Sequence, residues 1–125
     1  MTSMYERLGG EAGLRSIISD FVGRVFEDVM IGFLFRSVDR ARLEELEFQH
    51  AAEHLGGPVH YEGRPLREAH RSHRILGGQF GRRQQLLRQT LIAHRAAEDI
   101  IDAWLAHNES LRALITNDSD GQCSD

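Results

Sequence analysis

The sequence predicts an all-α domain, on three observations. Apolar residues recur at intervals of three and four along its long segments, glycine and proline cluster at a few points between them, and no stretch alternates apolar and polar residues long enough to argue for a sheet. At 125 residues the chain has the length of a single domain, able to bury roughly 65% of its unfolded surface.

Taken in order, Ser3 stands three residues before Glu6, a capping-box offset that predicts a short helix over residues 4–8 ended by Gly9-Gly10. A long helix is expected from about Glu11, because Leu14, Ile17, Ile18, Phe21, Val22, Val25 and Phe26 form a broad apolar stripe. Gly32 and the apolar run behind it predict a turn or short helix. Asp39 is placed to cap a helix from Arg40 to Leu55, stopped by Gly56-Gly57-Pro58. Residues 56–65 hold three glycines and two prolines and predict a loop. Leu66 to about Ile75 is expected to form a short helix carrying His70 and His73, interrupted by Gly77-Gly78. From Phe80 a helix carries Leu86, Leu87, Leu91 and Ile92, and a last one follows Ala96 with Ile100, Ile101, Trp104, Leu105, Leu111, Leu114 and Ile115. The domain is expected over residues 1–115, with 116–125 a polar tail that frays for want of packing residues.

Composition narrows the function classes. With 19 acidic against 15 basic side chains and a formal charge of -4, the chain has no general attraction for nucleic acid or anionic membrane. Arg82-Arg83 is an isolated pair with no aromatic platform, expected as a solvated helix start. Cys123 stands alone, so no internal disulfide and no cysteine-based metal or cofactor attachment is available. The apolar run Met30-Ile31-Gly32-Phe33-Leu34-Phe35 is far too short to span a bilayer, and a cytoplasmic location is expected. Neither phosphate-loop spacing nor a nucleophile elbow is present.

The chemistry-bearing feature is His70, which follows Gly56-Gly57-Pro58, Tyr61, Gly63 and Leu66 and offers a nitrogen ligand just beyond an irregular Gly/Pro-rich segment. A helical protein with such a ligand can hold an iron cofactor, since neutral imidazole suits both ferrous and ferric iron.

Tyr5-Glu6-Arg7-Leu8-Gly9-Gly10, Phe21, Val25, Phe35, Leu55-Gly56-Gly57-Pro58, Tyr61, Gly63 and His70 together resemble the pattern of the truncated haemoglobins. These are small bacterial-type globins built as a two-over-two helical sandwich. The match runs nearly without gaps through Phe80, and the helical layout covers residues 4 to about 115. The resemblance implies a globin-like fold, a haem b cofactor and a diatomic small molecule as ligand. It also implies His70 as the proximal iron ligand, Phe35 as an aromatic packed on the haem, and the helix from Arg40 to Leu55 as the distal wall. A redox partner, and a monomeric or homodimeric state, stay open.

A flat porphyrin needs an apolar slot with a polar mouth. Val22, Phe26, Phe35, Leu43, Leu46, Leu66, Ile75 and Leu87 are candidates for the slot, while Arg64, Arg67, Arg71 and Arg74 can pair with propionates. Where the family carries a distal tyrosine and a glutamine or other polar donor, this sequence has Val22 and Glu47. Val22 donates nothing and an ionised Glu47 only accepts. Sensing, haem-dependent redox chemistry or peroxide handling is therefore expected ahead of oxygen storage, with Glu47 or His50 as the groups able to pass a proton.

Two other readings stay open on the residues alone. Glu47, His50 and His54 fall at i, i+3 and i+7 on one helix, and with His70 and His73 they could ligate non-haem iron or another divalent metal on the same scaffold. Alternatively, Leu43, Leu46 and Leu87 could close a dry core in a cofactor-free interaction protein, leaving His50 and His54 in water. His60, His94 and His107 have no comparable grouping in the sequence.

Overall fold

A computed structural model describes residues 2–65 and 75–116. Helix α1 (Met4–Arg7) leads into the long α2 (Gly10–Glu27), a 3-10 turn follows at Gly32–Phe35, and α3 spans Arg40–His54. After the glycine- and proline-rich loop come α4 (Gly77–Ala93), α5 (Glu98–Ser110) and the short α6 (Arg112–Ile115). Among the described residues there is no strand, and no helix is long and apolar enough to cross a membrane.

The starts of α1 and α3 follow from their caps. The Ser3 hydroxyl accepts from the Glu6 backbone N–H at 3.1 Å, and the Asp39 carboxylate accepts from the Arg42 N–H at 3.2 Å, so each takes up one of the N–H groups a helix start leaves unpaired. Helix α2 packs against both α3 and α4, α4 packs against α5, and α3 also touches α5. Its apolar stripe, Leu14, Ile17, Ile18, Phe21, Val22 and Val25, is buried along its whole length. Phe48, Ala51 and Ala52 of α3, Leu86, Leu87 and Leu91 of α4, and Ile100, Ile101 and Trp104 of α5 complete one core.

Two motifs distant in sequence close on each other. The Tyr5 N–H donates to the Leu55 carbonyl at 3.0 Å, and the Tyr5 ring lies so close to Gly57 that a Cβ there would sit 2.7 Å from it. The absence of a side chain at residue 57 therefore lets the loop after α3 lie flat on the first helix.

Three expectations change. Helix α4 begins at Gly77 rather than Phe80, because the Gln79 side chain accepts from the Leu76 N–H at 2.8 Å and turns Gly77-Gly78 into a first helical turn. The last helix breaks at Leu111: the Ser110 hydroxyl donates to the His107 carbonyl at 2.5 Å and the Leu111 N–H to the Asn108 carbonyl at 3.0 Å, tightening the turn into α6. Arg82 is not a solvated helix start. It donates to Asp28 at 2.7 and 3.0 Å, and Asp28, its side chain only 5% exposed, also accepts from the N–H groups of Met30 and Ile31. The end of α2 is thus tied to the start of α4. Thr116, first residue of the expected tail, is buried, while residues 117–125 and the expected helix over residues 66–74 lie outside the described residues.

Two outcomes follow from these contacts. Gly57→Ala forces a methyl group into the Tyr5 ring and should destabilise the protein by about 1–3 kcal/mol, read as a lower denaturant midpoint; an unchanged midpoint would contradict the packing. The hydrogen bond from Arg82, reinforced by the two backbone N–H groups, holds the Asp28 carboxyl below its ordinary value of 3.8. Its folded form thus resists protonation more than its unfolded form, and the stability it contributes is complete above the ordinary value and lost as pH falls through the folded one. Asp28→Asn should therefore lower stability at neutral pH yet flatten the loss on acidification from about pH 5 downward, measured by urea unfolding across that range.

Candidate functional site

Residues Leu43 to Glu47 on α3 are all half-buried, as are Gly81 to Gln84 on α4. Glu44 is covered by its pair with Arg40 and Glu45 by its pair with Arg15, whereas Leu43 and Leu46, three apart on α3, share one side and leave its apolar surface partly open. Leu43 leans on the core from one side, and Leu46, Phe35 and Ile75 are half-buried as well. Phe35 stacks on Phe26 with ring centroids 5.6 Å apart. Val22, expected in the same slot, is only 1% exposed and belongs to the packed interior.

Glu47 has a partner that sequence spacing did not reveal. The Nη2 of Arg83 on α4 donates to both of its carboxylate oxygens, at 2.6 and 2.5 Å, with the side chains 20% and 25% exposed. The guanidinium carbon also lies 4.9 Å from the centroid of the Phe21 ring, which holds the cation from the core side. Glu47 is thus neither a free carboxylate in solvent nor a buried unpaired charge, and Arg83 is not the solvated residue expected.

One turn further along α3, His50 meets the Tyr61 ring edge-on at 5.4 Å and lies 5.5 Å from the His107 ring of α5. His54 stacks face to face on His107, 3.7 Å between centroids and 10° between planes. His107 therefore groups with His50 and His54, a cluster invisible in the sequence because the residues belong to helices separated by the whole of α4. Burial, more than any other influence, lowers the His50 value, and burial raises that of the Tyr61 hydroxyl, with the Glu47 charge adding to the rise. For His107, burial and then the neighbouring His54 and His50 bring the value from 6.5 to about 4.

The loop after α3 is fastened to the same helix. The Tyr61 N–H donates to Glu53 at 2.8 Å, the Glu62 N–H to Gln49 at 2.9 Å, and the Tyr61 hydroxyl to the Arg64 carbonyl at 2.9 Å. A side chain at Gly63 would collide with that hydroxyl and push the Tyr61 ring aside. The remaining histidines are peripheral: His94 pairs with Asp20 at 2.9 Å, and His60 is almost fully exposed, 3.5 Å from Glu53.

Arg67, His70 and His73 lie outside the described residues. Of the alternative metal set, Glu47, His50 and His54 share one face of α3, but Glu47 is engaged by Arg83 and His54 by His107. Among the described residues no three His, Cys, Asp or Glu side chains are placed to hold a metal. A cleft of about 310 Å³ between α1, α2 and the α4–α5 turn, lined by Ser16, Ile17, His94 and Arg95 among others, shares none of the residues of this face.

The sequence matches the family model for bacterial-like globins over residues 3–117. The group 1 truncated hemoglobin GlbN of Synechocystis sp. is 31% identical over 105 residues, covering 81% of this chain and 85% of that protein. Its counterpart in Mycolicibacterium paratuberculosis is 32% identical over 79 residues, covering 63% of this chain and 58% of that protein, less than two thirds of its length. Among solved structures, the truncated hemoglobin of Tetrahymena pyriformis in its Fe(III) form aligns with a TM-score of 0.83 at 25% identity, over 92% of this chain and 98% of that one. The 2/2 hemoglobin of Synechococcus sp., solved in the cyanomet state with covalently attached heme, aligns with a TM-score of 0.82 at 25% identity, over 89% and 94%.

The histidine cluster has a measurable consequence. His107 in the unfolded chain takes up a proton near 6.5 but in the folded chain only near 4, so the unfolded state gains protons first and stability falls as pH drops through that window. His107→Gln should reduce the loss of stability between those two pH values, and the His107 ring protons in the wild-type NMR spectrum should titrate near 4. A His107 midpoint at 6.5 would contradict the stacked geometry.

Proposed function

The chain belongs to the bacterial-like globin family, and on that premise we propose that it is a haem-binding truncated globin with His70 as the iron ligand. The observation that carries this reading is the family match over residues 3–117, which includes His70 directly after the Gly/Pro-rich loop. The Synechococcus protein is a 2/2 hemoglobin with covalently attached heme, and a haem is the cofactor proposed for this chain. Phe35, Leu43, Leu46 and Ile75 leave apolar surface half-covered, as walls for a flat apolar group require. The fastening of the 56–65 loop to Gln49 and Glu53 fixes the chain leading toward His70.

Haem, when bound, would supply an iron centre able to take a small exogenous ligand. In this reading His70 holds the iron, Arg67 pairs with a propionate, and α3 forms the opposite wall. A diatomic small molecule is the ligand class, and haem b the form of the cofactor. In this reading Glu47 and His50 hold or pass a proton, and burial, which lowers the His50 value, favours the neutral form of its ring. Val22, buried in the core, contributes packing and no hydrogen bond to the site. That leaves sensing or haem-dependent redox chemistry, exchanging electrons with a partner protein in the cytoplasm, better supported than oxygen storage. No specific observation favours the non-haem metal centre or the cofactor-free interaction protein.

Haem titration into the purified protein, followed by its absorption spectrum and an iron analysis, tests the proposal. One haem per chain with an intense band near 400 nm (roughly, for a porphyrin) is the expected result, and His70→Ala should abolish axial coordination while the far-ultraviolet helical signal persists. Unchanged coordination in that variant would remove the assignment of His70, and failure to take up haem would remove the reading altogether.

A further inference from the structure

We infer that Arg83, positioned by Glu47, is the hydrogen-bond donor of the ligand pocket and favours ligands that present a negatively charged, hydrogen-bond-accepting atom. The inference rests on the haem reading above and deepens it.

Glu47 stands on α3 where resemblance places a donor, yet an ionised carboxylate can only accept. The structure brings a donor to that position from a different helix. Arg83 spends a single nitrogen on the pair: Nη2 serves both oxygens of Glu47, whereas a fork-to-fork pair would occupy two nitrogens. The hydrogen bonds of Arg83 to described residues run through Nη2 alone, with none from Nε or Nη1. The guanidinium is held at two points, by Glu47 and by the Phe21 ring at 4.9 Å, so it is ordered before any ligand arrives. His50 and Tyr61 lie in the same electrostatic neighbourhood: Glu47 and Arg83 act in opposite senses on His50, and Glu47 acts on Tyr61. A planar cation held on the Phe21 ring, with two donor nitrogens that no described residue engages, is suited to an anionic atom more than to a neutral diatomic.

Fluoride binding to the ferric haem-loaded protein, followed by its absorption spectrum, reads this donor directly, with carbon monoxide binding to the ferrous protein as the neutral control. Arg83→Gln should weaken fluoride binding about 10- to 100-fold, the worth of a charged hydrogen bond, and change carbon monoxide affinity less than about threefold. Glu47→Gln keeps an amide oxygen to accept from Arg83 but removes the carboxylate charge that competes with an incoming anion, and should tighten fluoride binding. Should Arg83→Gln lose its helical signal, Arg83→Lys carries the measurement, with a smaller weakening expected because one compact ammonium replaces the fork. Fluoride affinity unchanged in the Arg83 variants overturns the inference, as does equal weakening in the Glu47 and Arg83 variants, which would mark the pair as packing only. Reduced haem affinity with unchanged fluoride binding would assign the guanidinium to the haem carboxylates and equally overturn it. Failure of the wild type to bind haem overturns the parent reading and this inference together, whereas the other outcomes leave haem binding intact.

Discussion

Helix α2 is enclosed by α3 and by α4, and that double burial determines where those two helices meet. Its stripe from Leu14 to Val25 is buried throughout, so neither neighbour can rotate without exposing large apolar side chains or opening a void, and either costs several kcal/mol. Once α3 and α4 are fixed against α2, residues 47 and 83 are brought within reach. The ion pair between them is a consequence of the core and then becomes a constraint of its own, because a half-buried carboxylate that loses its partner is left with an uncompensated charge.

A second fastening acts beside it, near the start of α4. Asp28 takes the backbone N–H groups of Met30 and Ile31 and the guanidinium of Arg82, adjacent in sequence to Arg83. Two successive arginines thus reach different helices: Arg82 locks the end of α2 and Arg83 the middle of α3. The arrangement registers α4 against both partners at once and orders the edge of the candidate site. Along α3 itself, the residues change role turn by turn, from Leu43 and Leu46 through Glu47 to His50, Gln49 and Glu53, which hold the following loop.

Local signals made much of the fold legible. Ser3 and Asp39 cap the helices they were expected to cap, since a side-chain oxygen next to a helix start acts within three residues. The α2 stripe, the α3 boundaries and the irregular loop follow from periodicity and from the glycines and prolines. Boundaries failed where weak side-chain bonds outweighed propensity, at Gly77, where Gln79 folds back, and at Leu111, where Ser110 draws on the His107 carbonyl.

The site divides along the same line. Sequence alone identified Glu47 and His50 as members of one helical face, because residues three apart on a helix point the same way. It also determined the all-α class, the family resemblance and the histidine beyond the loop, all properties of short spacings or of side-chain type. Only the tertiary structure decided that Arg83 neutralises Glu47, that His107 stacks on His54, and that Arg82 is bound to Asp28. Each of those contacts joins residues 36 to 54 positions apart, or from helices with another helix between them. No local pattern encodes such a pairing: it arises when the buried face of α2 sets the rotation of its neighbours.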